Sequence, residues 1–222
     1  MSFEIAAIGA NGVNTRPDIA LLQANATNAL AKISGDVKAA QAAPVASTNP
    51  PVGLVSSLAA TQTAITSTQN AVNVLKTADS AYTNGVALAQ QGVALATDRL
   101  AASGDAAAAI DSQLLAVQAG IDSIGATTTF GGVPVLGNSV TAAVGSNGAS
   151  ITVTPASIGP VNSWTPVQPG RIAEFQATAV ALTTSHSLNS GNLTSLRNSL
   201  QSLASPVCNH QAAIAHALAV AR

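Results

Sequence analysis

The residues able to do acid–base, nucleophilic or metal chemistry are few in this chain and badly spaced for it. There are three histidines, His186, His210 and His216, and one cysteine, Cys208. His210 and His216 are six residues apart, which puts them on different faces of a helix and matches no usual zinc-ligand spacing. Cys208 and His210 have the types needed for a thiolate and its base, but residues two apart on a helix point to different sides, so Cys208 reads as an ordinary thiol. Asp98, Asp105, Asp111 and Asp122 could make a carboxylate pair or a calcium site, yet no DxDxDG loop surrounds them. Asp105 follows Ser103-Gly104 and reads as the N-cap of a helix. The other three read as charge that solvates helix faces. There is no GxSxG elbow, and no Gly-rich stretch joins a strand to a helix with phosphate-loop spacing. Asn25-Ala-Thr27 and Asn192-Leu-Thr194 match the glycosylation sequon by chance, inside segments patterned as helix. The expectation is a protein that is not an enzyme and takes no cofactor and no metal.

Composition points the same way. Of 222 residues only 8% are charged, against about a quarter in ordinary globular proteins. Ala, Ser, Thr, Asn and Gln fill the difference. Aromatics are 2%, so helices must pack closely through Ala and a thin seam of Leu, Ile and Val. A surface so short of charge is a poor surface for a monomer and predicts that copies of the chain cover it. The net charge of −1 and scattered Lys and Arg predict no nucleic-acid partner. No run of about 18 apolar residues predicts a membrane span, and a lone cysteine excludes an internal disulfide framework. The opening MSFEIAAIGANG has no basic stretch and predicts no cleavable secretory signal.

The elements that would position these residues are helices with heptad seams. No proline occurs between Pro51 and Pro134. Within that window Leu54, Leu58, Thr61, Ile65, Thr68, Val72, Leu75, Asp79, Tyr82, Val86, Ala89, Val93, Ala96 and Leu100 follow in alternating steps of three and four, a coiled-coil seam. A helix over 54–102 would be about 70 Å long, which suits a rod. Ile110, Leu114, Val117, Ile121 and Ile124 predict a shorter helix folded back antiparallel. Next, TTTFGGVPVL reads as a hairpin turning at Gly131-Gly132, with Phe130 capping the apolar end of the helix pair near Ile121 and Ile124. GSNG between VTAAV and ASITVT reads as a second hairpin, and Pro155, Pro160, Pro166 and Pro169 mark a connection containing Trp164. After Gly170 the pattern returns as Ile172, Phe175, Ala179, Leu182, His186, Asn189, Leu193, Leu196, Leu200, Leu203 and Val207, with a break at Pro206. Near the start, Pro17 opens a run of Ile19, Leu22, Ala26, Ala29 and Ile33, closed by Pro44.

The sequence therefore predicts a mostly α protein, a long coiled-coil-like helical rod with a small β-hairpin excursion. Its divisions are an N-terminal helix within 1–43, a linker over 44–53, the rod with its hairpin over 54–139, a β/loop excursion over 140–170 and a C-terminal helical segment over 171–222. The candidate packing and assembly seam is Ile19, Leu22, Ile33, Leu58, Ile65, Val72, Leu75, Val86, Leu114, Val117, Ile121, Phe130, Phe175, Leu182, Leu193 and Leu196. The narrow seams of the terminal segments are expected to stay uncovered in a single chain and to be buried between copies.

Several stretches resemble bacterial flagellin. LKTADSAYTNGVALAQQGVALAT is similar to the family's LQTADGAL…ILQRIRELAVQ helix. IDSQLLAVQAGIDSIGATTTFGGVPVLGNS is similar to its EIDRIA-TTFNGKKLLDGS segment, including the Thr run, Phe130, Gly132 and Leu136. VNTRPDIALLQ at 13–23 and RIAEFQATAVALTTSHSLNSGNL at 171–193 resemble the family's two terminal stretches. The resemblance implies a structural subunit of an extracellular flagellar filament that polymerises with itself for motility. It also implies export through a type III apparatus with an export chaperone as partner, and terminal helices lining the filament core. The alternative is a junction or adaptor protein of the flagellar apparatus, or another helical interaction protein, that uses the same helices without polymerising.

Overall fold

A computed structural model describes residues 52–145, 147–159 and 170–220. The N-terminal heptad run with Ile19, Leu22 and Ile33, most of the linker, and the connection around Trp164 lie outside them. The described chain is mostly helical: α1 (Val52–Ala101), α2 (Gly104–Thr127), β1 (Thr129–Phe130), β2 (Val133–Pro134), β3 (Val140–Ala143), β4 (Ser150–Val153) and α3 (Gly170–Val220). Its strands form two separate two-stranded sheets, β1–β2 and β3–β4. Contacts divide the chain into two units. One draws on Met1–Val72, Thr141–Thr152 and Leu193–Arg222, the other on Asn73–Val140 and Val153–Asn192.

In the second unit α2 and α3 both pack on α1, and both run antiparallel to it. Arg99 meets Asp111 while Leu88 lies beside Gly120, so advancing along α1 means retreating along α2. Gly92 meets Phe175, Gly85 meets Leu182 and Asp79 meets His186, which fixes the same antiparallel sense for α3. Ala89, Ala96, Leu114, Val117, Ile121, Phe175 and Ala179 form one buried cluster. Val74, Ala78, Ala81, Tyr82, Val135, Leu136 and Leu182 form another. The first unit holds the start of α1, the end of α3 and the β3–β4 hairpin. Its core is Leu58, Ala64, Ile65 and Val72 with Leu193, Leu196, Leu200, Leu203 and Val207.

The two hairpins close by different means. β1 and β2 pair Thr129 with Pro134 and Phe130 with Val133. The turn residues Gly131 and Gly132 have φ of 59° and 82°, the pair of positive values that a two-residue hairpin turn of the right twist requires. In the β3–β4 hairpin the Val144 N–H bonds Ala149 O at 2.8 Å. The outward edge of β3 is met by α1: the Ala143 N–H donates to Ser67 Oγ at 3.0 Å, and Thr68 Oγ1 lies 2.9 Å from Ala143 O. Two adjacent helix hydroxyls thus act as one rung of a missing strand and blunt that edge.

Four local expectations are corrected. The linker stops short of Gly53, because α1 already begins at Val52. Asp105 is not the cap of α2. Ser103 is, in extended backbone, and Asp105 sits in the first turn, where its charge faces the positive end of the helix. Pro206 does not break α3, which runs through it. The proline removes one i→i−4 bond, at a typical cost of about 3 kcal/mol, and Leu203 and Val207 beside it are buried and hold the helix in place. Phe130, expected to cap the helix pair, is 38% exposed. Gly131-Gly132 turns the chain at once, so Phe130 and its cross-strand partner Val133 share an outer face. The residues that anchor the bend are Val135 and Leu136, drawn in where the Val135 N–H bonds Thr128 O at 3.0 Å.

Two glycines of this fold should respond with opposite sign to one added methyl. At Gly92 a Cβ would lie 2.4 Å from the Phe175 ring, so Gly92→Ala is expected to lower stability by about 1–3 kcal/mol through overpacking. At Gly191 nothing lies within 4 Å, so Gly191→Ala should gain about 0.5–1 kcal/mol of helix propensity. Denaturant titration of the two variants checks both signs.

Candidate functional site

Most of the sequence-derived seam that falls among the described residues is buried. Leu58, Ile65, Val72, Leu75, Leu114, Val117, Ile121, Phe175, Leu182, Leu193 and Leu196 are all buried within a single chain, and Val86 is half-buried. The expectation that the seam after Gly170 stays open in one chain is therefore corrected: α1 covers it. What allows the cover is a stripe of small residues on α1. Ser57, Ala64, Ala71, Ala78, Gly85 and Gly92 recur at strict intervals of seven beside the Leu/Ile/Val seam. Small residues there bring the α3 side chains down onto the α1 backbone. A Cβ at Gly85 would stand 3.0 Å from Leu182, and Gly92 carries the fully buried Phe175 ring.

The polar residues of the seam pair across it. His186 Nδ1 lies 2.7 Å from Asp79 Oδ1, with Asp79 buried. One turn away the Asn189 side-chain amide donates to Leu75 O at 2.8 Å. Tyr82 OH donates to Ala156 O at 2.8 Å, which ties the segment after β4 to α1. Burial pushes the Tyr82 phenol up from 10.0 to about 12, and the Asp79 charge adds to the push. Where the end of α1 and the starts of α2 and α3 meet, Asp111 Oδ1 bridges Arg99 Nε at 3.1 Å and the buried Arg171 Nη1 at 3.3 Å. His210, considered as a base for Cys208, instead sets its Nε2 3.0 Å from Ser57 Oγ, and Cys208 is exposed. Among the described residues no three His, Cys, Asp or Glu side chains converge on a metal position, and no helix is long and apolar enough to cross a membrane.

Among the described residues, the large apolar side chains left exposed lie in the second unit. Leu100, Leu115, Phe130, Val133, Val180 and Leu188 are exposed, Val180 and Leu188 to about two thirds of their surface (66% and 65%). Val180, Thr184 and Leu188 follow one another every four residues along the outer face of α3, and no charged residue occurs between Glu174 and Arg197. Two hydroxyls beside these residues are already engaged. Thr184 Oγ1 donates to Val180 O at 2.9 Å and Ser185 Oγ to Ala181 O at 3.0 Å. Along α1 and α2 the same i−4 bond is made by Thr63, Thr77, Ser80, Thr83, Thr97, Ser112 and Thr127. A hydroxyl whose proton is spent on its own helix loses less when water is removed from it. These faces therefore carry polar residue types yet are less costly to cover than their composition suggests.

No protein-family model matches the chain, and no curated protein matches it in sequence. What these faces do must be read from their chemistry and from the motifs quoted above.

Two measurements check the site as described. Leu136→Ala should lower the melting temperature, as loss of a buried Leu typically removes about 2–5 kcal/mol, whereas Phe130→Ala should change it far less. Tyr82 is the chain's one tyrosine, so its phenolate absorbance can be followed alone. In the folded protein the midpoint should fall near 12, and in urea near 10.0. Between these two values the unfolded chain has released a proton that the folded chain keeps. The contribution is thus whole below pH 10, and stability falls as pH rises towards about 12. The loss amounts to about 2–3 kcal/mol. Tyr82→Phe should remove that part of the alkaline decline.

Proposed function

We propose that this chain is a structural subunit of a flagellar-type extracellular filament, assembling with copies of itself to serve motility. The observation that carries the reading is the outer face of α3. Val180 and Leu188 stand exposed on a face without Asp, Glu, Lys or Arg, and the Thr184 hydroxyl between them is bonded to its own helix. Covering such a face recovers roughly 25 cal/mol for each Å² of apolar surface and strips water from no ion. A contact between that face and a different face of the next copy does not close on itself, and repetition gives a helical filament. The flagellin resemblance of 53–139 supports the same reading, since the Thr-rich stretch with Phe130 and Gly132 directly follows a helix, as in the family's motif. By that resemblance the chain leaves the cell through a type III export apparatus, with an export chaperone as a transient partner. The proposed mechanism is assembly, with no catalysis and no cofactor.

One observation favours a second reading. Phe130 and Val133 form an exposed cross-strand pair at the tip of a glycine turn. This is the form of a recognition loop and suits a junction or adaptor protein that contacts a different partner without polymerising.

Electron microscopy of the purified protein at rising concentration separates the two. Open filaments are expected, and they should be lost in a Val180→Asp/Leu188→Asp variant whose helical circular dichroism is unchanged. Discrete rings, or monomers at every concentration, would overturn the filament reading and leave the adaptor.

A further inference from the structure

We infer that the free edge of β4 is a docking surface for the same edge of a second copy, the two hairpins joining as one four-stranded antiparallel sheet. Two contacts fix which backbone groups face that edge. The Val144 N–H bonds Ala149 O, and the Thr141 and Thr152 hydroxyls lie 2.9 Å apart. Both belong to one register, in which Ala142 faces Ile151 and Ala143 faces Ser150. Bonded and non-bonded pairs alternate along an antiparallel ladder. Val144–Ala149 and Ala142–Ile151 are therefore bonded pairs, and Ala143–Ser150 and Thr141–Thr152 are non-bonded ones. The N–H and C=O of a non-bonded residue point away from the partner strand. On β3 the Ala143 groups do so, and Ser67 and Thr68 of α1 meet them. On β4 the corresponding groups are the N–H and C=O of Ser150 and Thr152. Both residues are exposed, and among the described residues no hydrogen bond from another element reaches those groups.

The edge lacks the features that keep strand edges apart. No charged residue occurs between Asp122 and Arg171, and β4 itself holds no proline. Its partial charges are their own complement, because donors and acceptors alternate along it. A two-fold axis at Ile151 sets Ser150 opposite Thr152 of the copy as a bonded pair, and the reverse, so four backbone bonds place every outward donor of these residues on an acceptor. The same axis sets the half-buried Ile151 against Ile151 of the copy in a non-bonded pair, where side chains approach most closely. On the other face Ser150 of the copy extends the hydroxyl row of Thr141 and Thr152. An unrelated strand could make the backbone bonds but would supply neither the Ile–Ile contact nor the hydroxyl row. The sheet stops at four strands, because α1 meets the outer edge of each β3. A two-fold contact of this kind closes on itself and yields pairs, so it is independent of the outer face of α3. Four bonds and one apolar contact cover far less area than a stable dimer needs, so pairing is weak and rises with concentration.

The test is mild oxidation of full chains carrying Ile151→Cys or Ala149→Cys, with the exposed Cys208 replaced by Ala in both. The axis brings the first cysteine against its own counterpart and leaves the second about 13 Å from its counterpart, four residues of strand rise. Ile151→Cys is expected to give a disulfide-linked dimer and nothing larger, and Ala149→Cys should stay monomeric. Adding Thr152→Pro to Ile151→Cys should abolish the dimer with circular dichroism unchanged, since proline removes an outward N–H and spares the bonds to β3. Thr152→Lys keeps that N–H and puts a charge on the edge; it should also suppress the dimer, and it covers the case of a proline that disturbs the hairpin. Absence of the Ile151→Cys dimer, equal dimer from both cysteines, or a dimer that Thr152→Lys leaves undiminished would each overturn the proposal. The oxidation is repeated with Val180→Asp/Leu188→Asp. The Ile151→Cys dimer should persist there, and its loss in a variant that keeps its helical content would overturn the proposal by making the contact a consequence of assembly through α3.

Discussion

The packing of the second unit depends on how closely α3 can approach α1, and that distance is set where the Phe175 ring lies against Gly92. With aromatics at 2% of the chain, large rings cannot fill space between helices. The helices must instead close the space by approaching each other. A strict stripe of Ser, Ala and Gly at every seventh residue of α1 permits that approach, and the large side chains of α3 bear directly on the α1 backbone. Gly92 has no side chain of its own to bury, and its absence of a Cβ is what makes room for the fully buried Phe175. Leu182 on Gly85 repeats the arrangement with a looser fit.

Close packing through small residues leaves little room for water, and several polar groups of the seam meet a partner from a facing element. Asp79 meets His186, Tyr82 meets the Ala156 carbonyl and Asn189 meets the Leu75 carbonyl. Outside the seam, Ser and Thr solve the same problem locally by bonding the carbonyl one turn back. Many hydroxyls of the described helices thus bond their own backbone, which lowers the cost of covering the faces that carry them. Such faces repel a copy of themselves weakly. In the proposed filament this property would connect internal packing to assembly, with low charge lowering the cost of contact between copies and Val180 and Leu188 supplying apolar area to it.

Much of this was legible in the sequence, because heptad spacing is a local property of a helix and survives whatever the helix packs against. The alternating steps from Leu58 to Ala96 and from Ile172 to Val207 name residues that the fold buries wholly or in part, and the hairpin at Gly131-Gly132 follows from the glycines' freedom at positive φ. The period-seven run of small residues was equally visible, and Gly85 and Gly92 within it point to a close neighbour. The sequence could not say which partner covers a seam. An apolar stripe looks the same whether the cover is the chain's own α1 or a neighbouring copy, and only the antiparallel return of α3 along α1 decided that Phe175, Leu182 and Leu196 are internal. Nor could it decide which of Phe130, Val133, Val135 and Leu136 is drawn inward. In a hairpin this short that choice depends on the bond from Val135 to Thr128 and on the underlying helix end, contacts that exist only once the chain has folded.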